Sequence, residues 1–187
     1  MEEAHECGGP GAGWSVDVTI SSGVRPASAE ETHRCAQFLF REAALLDGGD
    51  HAGWLKLLAP DVVYWVPLLS DYRGPEDELN IVYDDLSKIN DRLERLSGGY
   101  AFAQDPPSRT TRIIGNVRAW RNGDGFTTES AFVLHELRPE ATPVQTLAGR
   151  YLHELQADDG DAAFLIRRKT IELVNRTESF GNLAFIL

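Results

Sequence analysis

At 187 residues, with 42% hydrophobic and 25% charged residues, the chain suits one globular domain that buries roughly 70% of its unfolded surface. Its 29 acidic residues outnumber its 18 Lys and Arg, giving a formal net charge of −11. That balance offers no basic stripe for phosphates and argues against nucleic acid or an anionic membrane surface as partner.

No apolar run reaches the roughly 20 residues of a spanning helix. Residues 1–7 are acidic and lack a signal-peptide profile, so a cytoplasmic protein is expected. Cys7 and Cys35 lie in different contexts, as reduced thiols do.

Residues 1–27 are rich in Gly, Ser and Pro and read as an extended N-terminal arm, where alternating Trp14, Val16, Val18 and Ile20 can form a short strand or lie on a partner. Residues 28–187 read as a single α+β domain. Ser28 and Glu31 form a capping box, and Cys35, Phe38, Leu39, Leu45 and Leu46 follow on one helical face. Asp50 can cap a short second helix carrying Trp54, which Pro60 stops. Residues 62–66, β-branched and aromatic, predict a strand. From Asp77, the spacing of Leu79, Val82, Tyr83, Leu86, Ile89, Leu93 and Leu96 predicts one long helix ending at Gly98, with Asp84–Lys88 and Asp91–Arg95 as four-apart ion pairs.

Asp105, Pro106, Pro107, Ser108, Arg109 and Arg112 make a stiff, polar, partly cationic loop, the first candidate for a docking surface. Strands are predicted over 110–121, 126–137, 144–156 and 162–174. The turn of Asn122, Gly123, Asp124 and Gly125 joins the first two. Helices first and a meander second indicate a strongly curved, mostly antiparallel sheet packed on a long helix. The apolar residues of 183–187, Phe185 and Leu187 among them, must pack on a partner or on the chain's own sheet.

Chemistry is scarce. The five histidines form no metal-ligand spacing, and hairpin geometry sets His135 and His153 about nine residues, roughly 30 Å, apart. No nucleophile elbow or phosphate-cradling glycine loop occurs. One acid–base possibility is a pocket between sheet and helices lined by Tyr64, Asp84, Asp85, His135 and His153.

A set of ordered motifs spans residue 30 to the end. It comprises Glu42, Ala43, Leu45, Leu46 and Asp47; Trp54 and Leu55; Asp61, Tyr64, Val66 and Pro67; Asp84 and Asp85; Asp91, Arg92, Leu93, Arg95 and Leu96; residues 105–110; Ile114, Asn116 and Val117; Arg167, Arg168 and Lys169; and residues 182–187. This pattern resembles the small (beta) subunit of aromatic-ring-hydroxylating dioxygenases, the Rieske non-haem iron oxygenases. The resemblance implies a cystatin-like, nuclear-transport-factor-like cone without a redox centre, assembled with a large (alpha) subunit as an α3β3 hexamer. The partner would hold the Rieske 2Fe–2S cluster and mononuclear Fe(II). A ferredoxin or reductase would deliver electrons through it, and the enzyme would cis-dihydroxylate an aromatic substrate with O2. The alternatives are a stand-alone dehydratase or isomerase of the same fold, or a small-molecule-binding module.

Overall fold

Ser28 opens the first helix as the capping pattern requires. Its side chain accepts from the Glu31 amide, and the Glu31 carboxylate accepts from the Ser28 N–H. In the computed structural model, which describes residues 24–69, 72–97, 108–138, 144–158, 163–177, 183 and 185–187, helix α1 runs Ala29–Asp47. Its buried stripe is Cys35, Phe38, Leu39, Glu42, Ala43 and Leu46. Asp50 caps the short α2, His51–Leu55, by accepting from the Gly53 N–H. That turn drives Trp54 fully into the core.

Seven strands form one sheet: β1 Arg25–Pro26, β2 Leu58–Pro67, β3 Asn80–Asp84, β4 Arg109–Asn122, β5 Gly125–Leu137, β6 Gln145–Ala157 and β7 Phe164–Leu173. Their order is β1-β4-β5-β6-β7-β2-β3, and only the β2–β7 pairing is parallel. Register shifts in β2, β4 and the β6–β7 pair bend the strands. In β4 the extra residue is Asn116, at φ 52°, a conformation Asn tolerates better than most residues. One face of β5–β7 carries Phe126, Phe132, Leu134, Leu147, Tyr151, Leu155, Ile171 and Leu173 into a core shared with α1 and Trp54.

Two expectations change. The segment read as one helix from Asp77 is strand β3 followed by helix α3, Leu86–Ser97. Ile81, Val82 and Tyr83 suit a strand, and β2 supplies the pairing that settles it, with Tyr64 opposite Asp84 and Val66 opposite Val82. The long helix of the fold is therefore α1. Asp84 pairs with Arg92 at 2.6 Å, not with Lys88, because it sits at the end of a strand and faces back across α3. The end of the arm is also structured: Arg25 and Pro26 pair with Arg121 and Trp120. Trp14 and the rest of the arm through residue 23 lie outside the described residues.

β6 and β7 approach so closely at Gly149 that a Cβ there would lie 2.0 Å from the Glu172 carbonyl oxygen, whereas one at Gly115 meets nothing within 4 Å. Gly149→Ala should lower unfolding stability by about 1–3 kcal/mol, and Gly115→Ala should stay within about 0.5 kcal/mol. Urea midpoints of the two variants check this.

Candidate functional site

Glu42 lies on the apolar stripe of α1, four residues after Phe38, so the helix carries its carboxylate into the core. Opposite it, β6 and β7 place His153 and Lys169 side by side in register. Lys169 Nζ lies 2.9 Å from Glu42 Oε1, His153 Nε2 lies 3.1 Å from Oε2, and Trp54 Nε1 donates to Oε1 at 3.2 Å. Lys169 also sits over the Tyr151 ring, 4.4 Å from its centroid.

This cluster continues into the last residues. Lys169 Nζ donates to the Leu187 main-chain oxygen at 3.0 Å, and the Tyr64 hydroxyl accepts from the Leu187 N–H at 3.0 Å. Arg112 Nη2 donates to the Ile186 carbonyl at 2.8 Å. Asp47, at the end of α1, accepts from the Arg112 N–H and the Thr110 hydroxyl, and its carboxylate lies 3.5 Å from Arg112 Nη1.

Burial opposes ionisation of Glu42, but Lys169 and His153 more than offset it and hold the carboxyl below the usual carboxylate range. Burial lowers the pKa of His153 against the pull of Glu42. A neutral imidazole is the consistent state, because His153 Nδ1 has no partner and an imidazolium would bury an unpaired N–H. Burial likewise lowers the Lys169 pKa, against Glu42. The cluster is thus a Glu42–Lys169 ion pair with His153 donating from Nε2.

The five pocket candidates do not come together. Tyr64 and His153 join this cluster. Asp84 is tied to Arg92, and Asp85 is exposed and caps α3 by accepting from the Lys88 N–H. His135 is exposed on the other face of the sheet, with Nδ1 2.9 Å from Thr146 Oγ1. His153 pairs with Thr128 and His135 with Thr146, which separates the two histidines by about 24 Å of strand. Residues 186 and 187 close over Tyr64 and Lys169, at 4% and 2% exposure.

Of the docking candidates, Asp105, Pro106 and Pro107 lie outside the described residues. Ser108 donates to Glu136, and Arg109 is exposed. Arg112 does not face a partner, because Asp47 and Ile186 hold its buried guanidinium inside the chain. Leu187 is corrected in the same way, since its side chain fills the chain's own core, while Phe185 is only partly buried. Glu42 and Lys169 were missed as site residues. Their signal was a charged side chain at a core-facing position of an otherwise apolar helix or strand.

Residues 41–179 match the family described as ring hydroxylating beta subunit. The chain belongs to that family. It is 27% identical over 172 residues to the benzene 1,2-dioxygenase subunit beta of Pseudomonas putida, covering 86% of this chain and 90% of the relative. A solved structure of naphthalene 1,2-dioxygenase with indole bound superposes with a TM-score of 0.75 at 21% identity, over 86% of this chain and 88% of that one. The beta subunit of benzoate 1,2-dioxygenase from Burkholderia mallei gives 0.66 at 24% identity, over 87% and 99%. At those identities the likeness establishes the fold, the cone that the resemblance implied.

Among the described residues, the side chains do not assemble the ligand set of an iron centre. A Rieske cluster takes two Cys and two His, and a mononuclear site two His and a carboxylate. Cys35 is buried with its thiol pushed up to about 11 by desolvation, and His135 and His153 lie far apart. Among the described residues no three His, Cys, Asp or Glu side chains group as metal ligands.

The outer face of the beta subunit's sheet carries two rows. One is charged: Arg118 lies 2.6 Å from Glu129, Arg150 bridges Glu129 at 3.2 Å and Glu172 at 3.0 Å, and the Tyr72 hydroxyl donates to Glu172. The other is apolar. Ile113 faces Val133, Val133 faces Ala148, and the Val174 N–H bonds the Ala148 carbonyl. Ile113, Val133 and Val174 are 68%, 37% and 63% exposed.

Glu42→Leu alone strands the Lys169 ammonium and should cost about 3–5 kcal/mol, whereas Glu42→Leu with Lys169→Met should recover most of that loss. A double-mutant cycle by urea unfolding checks it. His153 refuses a proton that the unfolded chain accepts below its ordinary pKa of 6.5, so stability should fall as pH drops from 6.5. Glu42, with its folded pKa lowered, adds to that loss below 4.5. His153→Gln should flatten the first part of the pH–stability curve by up to about 1.4 kcal/mol per pH unit.

Proposed function

We propose that this chain serves as the non-catalytic scaffold of an aromatic-ring dioxygenase and acts by contact with a large alpha subunit. The alpha subunit, in this reading, carries the Rieske 2Fe–2S cluster and the mononuclear Fe(II) and receives electrons from a ferredoxin or reductase. The assembly is cytoplasmic, with three copies of each subunit, and adds both atoms of O2 to an arene. The beta-subunit match over residues 41–179 carries the reading.

The interior supports it, because Tyr64, His153 and Glu42 are each committed to an intramolecular partner, which disfavours the dehydratase or isomerase alternative. The contact face we assign is the outer apolar row of Ile113, Val133, Ala148 and Val174, with exposed Arg109 four residues along β4 from Ile113. Packing these side chains against a large subunit removes apolar surface from water. The row crosses β4, β5 and β6 and ends on Val174, the residue that follows β7, so a partner meets it as one continuous patch.

Coexpression with the large subunit, followed by size exclusion and iron analysis, should place iron in the complex and none in the isolated chain. Turnover by the isolated chain would overturn the reading. Ile113→Glu with Val133→Glu should cut recovery of the large subunit at least about tenfold while leaving the chain's own melting midpoint within about 2 °C. Undiminished recovery would refute the assigned face.

A further inference from the structure

The hairpin between β4 and β5 turns on two residues, Gly123 and Asp124, because Asn122 is paired with Gly125. Gly123 stands at φ 60°, a left-handed backbone that glycine adopts without steric cost. The turn therefore needs Gly123. It makes no such demand of Asn122, which is exposed, ends β4 and has no side-chain hydrogen bond among the described residues. The Gly123 N–H lies outside the ladder and has no partner among them either.

An asparagine followed by glycine carries a reaction of its own. The Gly123 nitrogen attacks Asn122 Cγ. An N–Cγ bond forms, the Cγ–Nδ2 bond breaks, and ammonia leaves with the proton from the Gly123 nitrogen, closing a cyclic imide. Water then opens the imide at either carbonyl. One opening leaves an aspartyl residue at position 122. The other leaves an isoaspartyl residue, whose backbone runs through the side-chain carbon and is one methylene longer. A side chain on the attacking residue obstructs ring closure. Gly123 has none, and even a Cβ built on it meets nothing within 4 Å. Asn122 ends its ladder, so bringing Cγ to the nitrogen opens only the terminal pair.

The other described asparagines lack these conditions. Asn80 and Asn90 donate from their carboxamides to backbone carbonyls. Asn116 and Asn175 precede the bulky Val117 and Arg176. 

The surroundings fix what the longer backbone would disturb. Gly125 is pinned on β6, since a Cβ there would lie 2.1 Å from the Leu155 carbonyl oxygen. The start of β5 therefore cannot yield, and the added length falls on the end of β4. There Arg121 pairs with Arg25 of β1 and lies 3.5 Å from Glu31, the residue that completes the capping box of α1. Asn122 also lines a cleft with Asp61, Asp124 and Glu154, whose cation, Arg167, is already held by Asp61 at 2.7 Å. A new carboxylate there gains no free counter-ion.

We propose that Asn122 is a self-modifying site, converted through an imide with Gly123 to aspartyl and isoaspartyl forms, and that the isoaspartyl form loosens the β1–β4 edge. The site is remote from the outer face assigned to the large subunit, so either can fail without the other.

The test incubates the full-length folded chain in mildly alkaline buffer for several weeks and maps its peptides by mass. Conversion of amide to acid should be at least about tenfold faster at Asn122 than at any other asparagine, with isoaspartate present in that peptide, and Asn122→Ser should abolish it. The Ala27 N–H, which donates to the Ala119 carbonyl at 3.0 Å, reports on the edge. Its hydrogen exchange should rise at least about tenfold in the aged acidic fraction, while the Leu134 amide stays protected. Asn122→Asp, which adds the charge without lengthening the backbone, should leave Ala27 exchange within about twofold of the unaltered chain. Absence of conversion, conversion spread evenly over the asparagines, or an aged chain matching Asn122→Asp at Ala27 overturns the proposal.

Discussion

The carboxylate of Glu42 is the group that the rest of the interior is arranged around. An isolated buried carboxylate is so unfavourable that it would be neutralised unless donors converge on it. Here three do, from three elements: Trp54 of α2, His153 of β6 and Lys169 of β7. Each of those elements is thereby fixed against α1, and Lys169 passes the constraint on to Leu187. Apolar packing alone would tolerate small slips of α1 across the sheet. A carboxylate that must meet an ammonium, an imidazole and an indole N–H does not, because a shift of one helical turn leaves a buried charge unpaired. This is the register-setting use of a buried polar group rather than a large gain in stability.

Much of this fold is legible in the sequence where local chemistry and tertiary demand agree. The Ser28–Glu31 capping box, the turn at residues 122–125 and the alternating strands on either side are each settled within a few residues of chain, and each stands where expected. The 77–97 segment is not legible in that way. Leu79, Val82, Tyr83 and Leu86 fit a helical stripe, yet Ile81, Val82 and Tyr83 fit a strand equally well, and only the presence of β2 alongside decides between them. Asp85 was the available clue, since a residue that caps a helix cannot lie inside it.

The site shows the same division. His153 and Tyr64 were readable as interior candidates because both stand among apolar neighbours. Their partners were not, since Glu42 lies 111 residues from His153 and 127 from Lys169, and Leu187 lies 123 from Tyr64. A charged residue on an apolar stripe does announce that a partner exists, but not where in the chain it lies. Arg112 illustrates the converse error. Read within its loop it looks like a cation offered to another protein, but α1 ends beside it at Asp47 and withdraws it from the surface.

That withdrawal bears on where a chain of this family can act. Inside, the ionisable groups are committed: Glu42 to Lys169 and His153, Arg112 to Asp47. Outside, the sheet face between β4 and β7 has its own charges balanced, with Glu129 and Glu172 covered by Arg118, Arg150 and Tyr72. A chain of net charge −11 would repel most acidic surfaces through the remainder of its exterior. Along this face the carboxylates are neutralised, and the adjacent row of Ile113, Val133 and Val174 is exposed and apolar. Burying such a row against a partner desolvates no unpaired charge, so the apolar gain is not offset by a charge penalty. The sheet thus divides its labour by face: one side spends its polar groups on holding the chain together, and the other is left chemically quiet enough to be covered.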